Sequence, residues 1–158
     1  MIDLGSRSAV DPLSSRGLRD AILSHHDALR RVLAETVGRT DPQARARTDL
    51  ETLRAGARRL YETVEAHLDF EEQALPPALR DVIGWGSVLQ ERIEEDHRRL
   101  REALATALSA LEPDTLSWFE LASDVRAFAA VLLSDLERED EALLDAQLDA
   151  IANDSEGG

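Results

Sequence analysis

Apolar residues recur at steps of three and four in four long stretches of this sequence, the spacing that lines them along one side of an α-helix. The four stripes are Ile22, Leu29 and Leu33; Leu53, Leu60, Val64 and Leu75; Leu89, Ile93, Leu100, Leu104 and Leu108; and Val125, Phe128, Leu132 and Leu143. The composition agrees, because 25 Leu and 23 Ala outnumber 13 Val and Ile together, and β-branched side chains lose rotamer freedom in helices. The sequence therefore predicts an all-α fold.

Capping and stop signals divide the chain into four helices. The predicted starts are marked by Ser14 and Ser15, by Asp41 and Pro42, by Ser87 and Gln90, and by Ser117 and Glu120. The predicted ends are Gly38, the pair Pro76 and Pro77, a point near Leu111 and a point near Leu148. Because the loops are short, the helices must run antiparallel, which predicts an up-down-up-down four-helix bundle over residues 14–148. Residues 1–13 and 149–158 lack the pattern and are predicted to be disordered tails.

Charge and composition exclude several classes of partner. The formal net charge is -14, which repels a phosphate backbone and an anionic membrane surface, so neither nucleic acid nor membrane is expected as a partner. There is no cysteine, so disulfides and thiolate metal sites are excluded. The longest apolar run, residues 127–133, is far shorter than the roughly 18 residues that a membrane span needs. With no signal-peptide pattern at the N-terminus, we expect a cytoplasmic protein.

Six ionisable residues interrupt the apolar stripes, and every helix contributes at least one. They are His26, His67, Glu71, His97, Asp135 and Glu139. At 1.5 Å per residue all six fall in one layer, roughly 10 to 15 Å from one end of an antiparallel bundle. Buried ionisable groups are costly unless they are paired or bind a metal, so the pattern predicts a metal site, with a hydrogen-bonded polar network as the structural alternative. Imidazole and carboxylate without thiolate suit iron or manganese, and zinc is a further candidate.

Four short motifs resemble those of the haemerythrin-like, or HHE cation-binding, domains. They are His67-Leu-Asp-Phe-Glu71-Glu72-Gln-Ala-Leu75-Pro76-Pro77, Glu139-Asp140-Glu141-Ala142-Leu143-Leu144, His26-Asp-Ala-Leu29 and His97-Arg-Arg-Leu100. The likeness covers about residues 16–147. It implies a non-haem di-iron site, in which carboxylates bridge two irons per chain, and chemistry with O₂, peroxide or NO.

Two positions depart from the family pattern. Asp135 stands where members of the family usually place a helix-4 histidine, and Ile93 stands where reversible O₂ carriers have a second helix-3 histidine. The predicted site is thus richer in anionic oxygen, and hard oxygen ligands favour the ferric state, which argues against reversible O₂ carriage. Two outcomes remain: a di-iron centre that carries out oxidations or consumes peroxide, or a degenerate site that holds one metal weakly or none.

Several alternatives stay open at this stage. His25 fits the first stripe nearly as well as His26, which we prefer because it shares the His-x-x-Leu pattern with His97. Glu94, three residues before His97, and Glu72, next to Glu71, could each add a ligand, but Glu94 is interpreted as a solvated charge because acids are rarely buried. A ferritin-like centre needs two Glu-x-x-His pairs, and only one is present.

A function of another class is a metal-sensing or structural helical module that acts through a protein partner or a second copy of the chain. An enzyme needs an open coordination position and turnover, whereas a sensor needs only a change of shape or stability on binding. The sequence does not distinguish an enzyme from a sensor.

Overall fold

The computed structural model describes residues 15–80 and 86–156, with side chains placed for 17–79 and 86–144. The four long helices are α1 (Ser15–Gly38), α2 (Leu50–Arg80), α3 (Gly86–Ser109) and α4 (Trp118–Glu156), and a short 3₁₀ helix (Pro42–Ala46) connects α1 to α2. No strand occurs in the described ranges, so the predicted all-α class is confirmed. The predicted N-terminal tail, residues 1–13, lies outside the described residues.

The helices pack in a ring, each against the helices before and after it, with α4 closing the ring on α1. Contacts at both ends of α1 and α4 show that these two helices run in opposite directions. Arg126, early in α4, donates to Thr40 just after α1, whereas Asp140, late in α4, contacts His26 in the first half of α1. Arg54 at the start of α2 donates to the carbonyl of Leu111 after α3, at 2.7 Å. The predicted up-down-up-down bundle is confirmed.

The second long helix begins later than the sequence indicates. Asp41 caps the 3₁₀ helix, where its Oδ1 accepts from the Gln43 backbone at 2.9 Å. The start of α2 is instead capped by Asp49, whose Oδ1 accepts from the Thr52 backbone at 2.8 Å. The prediction that α2 opens at Asp41-Pro42 is wrong, because the 3₁₀ helix ends before α2 begins. Between the two helices, the Thr48 carbonyl accepts a hydrogen bond from the Trp118 indole.

The end of α2 also differs, since the helix continues through Pro76 and Pro77 to Arg80. A proline costs an intrahelical hydrogen bond and crowds the preceding turn. Leu75 and Leu79 on either side of the prolines are both buried in the core, and this packing outweighs the local cost. The prediction that the prolines end α2 is wrong because tertiary burial overrides local propensity.

The boundaries of α3 and α4 show one predicted cap that forms and one that does not. The Ser117/Glu120 capping box is present, with both backbone-to-side-chain bonds at 3.1 Å. The predicted Ser87/Gln90 box is absent, because α3 already begins at Gly86 and Gln90 donates to Glu94 instead. At the other end, α4 runs eight residues past Leu148 to Glu156, because no Gly or Pro interrupts it before Gly157.

Two apolar clusters fill the bundle. The large cluster is built from the second half of α1, the first two thirds of α2, the end of α3 and the first half of α4. The small cluster lies at the other end and comprises Leu18, Ile22, Leu75, Leu79, Leu89, Ile93 and Leu143. All predicted stripe residues are buried except Leu108, which is partly buried. Within the described helices, none is long and apolar enough to cross a membrane.

Candidate metal centre

The six residues predicted from the stripes all lie in the interior, between the two apolar clusters. Their exposed fractions do not exceed 8%, and they are His26, His67, Glu71, His97, Asp135 and Glu139. The layer therefore draws on every helix of the bundle. All six are buried, as the apolar stripes predict, while the role of each residue as a metal ligand stays a prediction.

Glu71 stands at the middle of the layer with no exposed surface. Its Oε1 lies 2.5 Å from His67 Nε2, one turn earlier on α2, and 3.1 Å from His26 Nε2 on α1. Its Oε2 lies 2.8 Å from His97 Nε2 on α3. The two oxygens of one carboxylate thus face imidazoles from three different helices.

Glu139 repeats this division from the opposite side of the bundle. Its Oε1 lies 3.3 Å from His26 Nε2, and its Oε2 lies 3.3 Å from His97 Nε2. The two glutamates and the His26 and His67 imidazoles each offer one ligand atom, and these four atoms lie within 4.8 Å of one another. Such spacing suits ligands that share a cation.

The structure answers the register question in α1. His26 is fully buried in the layer, while His25 is exposed. The His25 ring packs edge-on against Phe70 and against the outer side of His67, with centroids 4.7 and 5.7 Å apart. His26 is therefore the α1 histidine that contacts the other site residues, in agreement with the choice made from the sequence.

Asp135 is in the layer but does not join the close contacts. It is 4% exposed, and its nearest ion-pair partner is the Arg138 guanidinium at 3.9 Å. Burial, with repulsion from Glu139 and Asp96, raises the pKa of Asp135 to about 6. The side chain lies one turn before Glu139 on α4, close enough to Glu139 and His97 for their charges to act on its pKa.

Shared protons link the carboxylates and imidazoles of the layer. Burial alone lowers the pKa of His26 and of His97, but the neighbouring carboxylates of Glu139 and Glu71 outweigh it and raise each to about 10. Burial raises the pKa of Glu71, but hydrogen bonds with Glu139 and the imidazoles reverse this and lower it. Burial and the neighbouring Glu71 raise the pKa of Glu139. The pKa values of the two carboxyls are thus shifted in opposite directions, down for Glu71 and up for Glu139.

Buried polar atoms that lack a hydrogen-bond partner indicate whether the layer fits a cation. Buried polar atoms almost always have hydrogen-bond partners in folded proteins. Here Glu71 Oε2 and Glu139 Oε1 are buried, and although each lies close to an imidazole nitrogen, neither makes a hydrogen bond. His26 Nε2 and His67 Nε2 face each other at 3.1 Å, although two imidazole nitrogens at this distance need a shared proton or a shared cation. The donor set fits a metal, because nitrogen and oxygen lone pairs converge where protons alone leave atoms unpaired.

Two residues outside the stripes take part in the site and were missed by sequence reasoning. Asp140 Oδ1 lies 2.5 Å from His26 Nδ1, and Asp140 Oδ2 lies 2.6 Å from Arg30 Nη2. Asp140 is partly exposed beside the inward-facing Glu139. Its only sequence signal is its place next to a predicted ligand, which does not reveal a partner on another helix.

The neighbouring acids that the sequence left open lie outside the layer. Glu94 is exposed and accepts from Gln90, in agreement with its interpretation as a solvated charge. Glu72 pairs with Arg101 on the surface at 2.7 to 2.8 Å. Its Oε1 stands 3.8 Å from His97 Nδ1, beyond hydrogen-bond distance.

Comparison with known proteins gives one match. A family model described as the Hemerythrin HHE cation binding domain matches residues 18–146. No curated protein and no solved structure matches the chain. The matched range contains every residue of the polar layer.

Proposed function

The chain belongs to the hemerythrin HHE cation-binding family, and we propose that its polar layer holds two iron ions that react with O₂, peroxide or NO. The observation that carries this proposal is that the two oxygens of each glutamate face different histidines. In both Glu71 and Glu139, Oε1 faces His26 and Oε2 faces His97. A carboxylate whose two oxygens face different imidazoles would be able to serve as a ligand at two neighbouring cation positions.

Two subsites follow from this division. The first would be formed by His26, His67 and the two Oε1 atoms, and the second by His97 and the two Oε2 atoms, with Asp135 beside it. Nitrogen and oxygen donors without sulfur suit iron, and manganese or zinc would compete for the same donors. The second subsite has a single imidazole, so the two positions differ in charge and in ligand field.

Iron in these subsites would supply redox chemistry toward O₂, peroxide or NO. The chain itself keeps water out, because apolar clusters close the layer on both sides. The neighbouring carboxylates raise the pKa of His26 and His97, and an imidazole must lose its proton to bind a metal, so metal loading would release protons and should tighten as the pH rises. Anionic oxygen at Asp135 favours the ferric state, which supports oxidation or peroxide consumption over reversible O₂ carriage.

Metal analysis of protein expressed in iron-replete medium, with an aerobic absorption spectrum, tests the proposal. We expect two irons per chain and an absorption band from bridged iron. His67→Ala and Glu71→Ala should each lower the metal content strongly, because Glu71 faces all three imidazoles. The matched control is Glu94→Ala, which removes an exposed carboxylate from α3. Full iron content in both ligand variants would place the metal elsewhere.

A metal-sensing role is the second candidate, and one observation favours it. The layer takes side chains from all four helices, so a bound cation would tie them together and raise the melting temperature by mass action. The two candidates differ in turnover. Repeated consumption of peroxide by the iron-loaded protein supports an enzyme, whereas a shift in melting temperature without turnover supports a sensor.

A further inference from the structure

Of the three imidazoles in the layer, only His26 has its Nδ1 atom, the nitrogen that points away from the other site residues, hydrogen-bonded to a carboxylate. The bond joins its Nδ1 to Asp140 Oδ1 at 2.5 Å, and Arg30 anchors the other carboxylate oxygen at 2.6 Å. Both supporting side chains are about a quarter to a third exposed. The Arg30–Asp140 pair thus reaches from the surface to the buried His26 ring, and it links α1 to α4.

The other two imidazoles have no such support. The Nδ1 atoms of His67 and His97 are buried without a hydrogen-bond partner. Glu72 is the nearest candidate behind His97, but it stands 3.8 Å away and is engaged by Arg101. The layer is therefore asymmetric: one ring is fixed at both nitrogens, and two rings are fixed at one.

We propose that Asp140, oriented by Arg30, is a positioning residue that keeps a proton on His26 Nδ1 and presents the Nε2 lone pair to a cation, so that the His26 subsite fills first and more tightly. A carboxylate behind an imidazole fixes the ring orientation and raises its basicity as a ligand. The proposal rests on the proposed function, since unequal filling requires two cations. The Nδ1 contact itself does not depend on any metal.

Anaerobic calorimetric titration of the metal-free protein with Fe(II) tests the order in which the two subsites bind iron. The native protein should show two binding steps of different affinity. Asp140→Ala should weaken the tighter step by about 10- to 100-fold, the range typical of outer-shell partners of metal ligands. Asp140→Asn, which keeps an acceptor oxygen but loses the charge, should fall between the native protein and Asp140→Ala.

Glu72→Gln is the matched control, because Glu72 is also an arginine-paired carboxylate behind a histidine but lies too far for a hydrogen bond. It should leave the tighter step unchanged. If Asp140→Ala binds Fe(II) as the native protein does, the inference is overturned. Equal weakening of both steps together with lost helicity would also overturn it, because Asp140 would then support the fold alone. The Asn variant keeps the test open should Asp140→Ala fail to fold.

Proton NMR of the metal-free protein separates this inference from the proposed function. The native protein should show a downfield Nδ1–H resonance from His26, which Asp140→Ala abolishes and Glu72→Gln leaves in place. If the native protein binds no iron while this resonance behaves as expected, the proposed function fails and the positioning contact stands. If iron binds in two steps but no such resonance depends on Asp140, the inference alone fails.

Discussion

The two apolar clusters on either side of the polar layer differ in size and in attachment. Among the described residues, the large cluster contains 21 buried side chains and the small cluster contains seven. The loops at the large-cluster end are also fastened by side chains, with Arg54 donating to the Leu111 carbonyl and Trp118 donating to the Thr48 carbonyl. The large cluster can therefore hold the bundle together while the layer beside it carries unpaired polar atoms.

This difference places stability and chemistry at separate depths of one bundle. A layer of buried ionisable groups costs folding free energy, and a large adjacent core offsets that cost. The small cluster mainly closes the layer against solvent. We expect substitutions to divide accordingly, with core losses in the large cluster acting on folding and changes in the layer acting on metal binding.

The largest expected effect comes from cavities in the two clusters. Leu132→Ala should destabilise the protein by about 2 to 5 kcal/mol, the usual range for a buried Leu, since Leu132 is fully buried in the large cluster. Leu143→Ala, on the same helix but 7% exposed in the small cluster, should cost less because its surroundings can collapse more readily. Urea denaturation of the metal-free variants measures both free energies of unfolding. Equal losses would remove the distinction between the clusters.

An intermediate effect is expected at Asp135, and it depends on pH. The folded pKa of about 6 lies above the ordinary value of 3.8, so the buried carboxyl costs stability at pH values above 6 and costs nothing below about 3.8. Asp135→Asn should therefore stabilise the metal-free protein at pH 7 by roughly 1 to 3 kcal/mol, because each tenfold change in proton affinity corresponds to about 1.36 kcal/mol. The gain should vanish as the pH falls to 4.

Glu137→Gln is the control for Asp135→Asn, because Glu137 is exposed on the same helix. It should change the free energy of unfolding by less than about 0.5 kcal/mol at either pH, as surface substitutions usually do. Thermal unfolding at pH 4 and pH 7 compares the two variants. A gain from Asp135→Asn that persists at pH 4 would show that desolvation of the carboxylate is not its cause.

The smallest effect is expected at the cap of α4, far from the layer. Ser117→Ala removes the hydroxyl that accepts from the Glu120 backbone and should cost about 1 kcal/mol, the usual value of an N-cap. Iron affinity should not change, because the cap belongs to the large-cluster end. Calorimetric titration with Fe(II) beside thermal unfolding checks both parts. A weakened iron affinity would mean that the two depths of the bundle are coupled.

Much of the fold was predictable because helical periodicity reports which side of each helix is buried. The stripes, the antiparallel order and the Ser117/Glu120 cap follow from local spacing and from short loops. The true boundaries of α2 could not be predicted from local signals, since each depends on packing against distant residues. Leu79 is buried beyond the two prolines, and Trp118 donates to the Thr48 carbonyl just before α2. Tertiary packing overrides local sequence propensity where the buried area is large.

By itself, the sequence determined that four amphipathic helices bring three histidines and three acids to one depth, because rise per residue and chain direction are properties of the backbone. Only the tertiary structure decided which atoms meet. It placed His26 rather than His25 in the layer, left Asp135 apart from the close contacts, and put Asp140 behind His26. The physical reason is that helix rotation and side-chain rotamers are set by packing among all four helices, which no spacing within a single helix encodes.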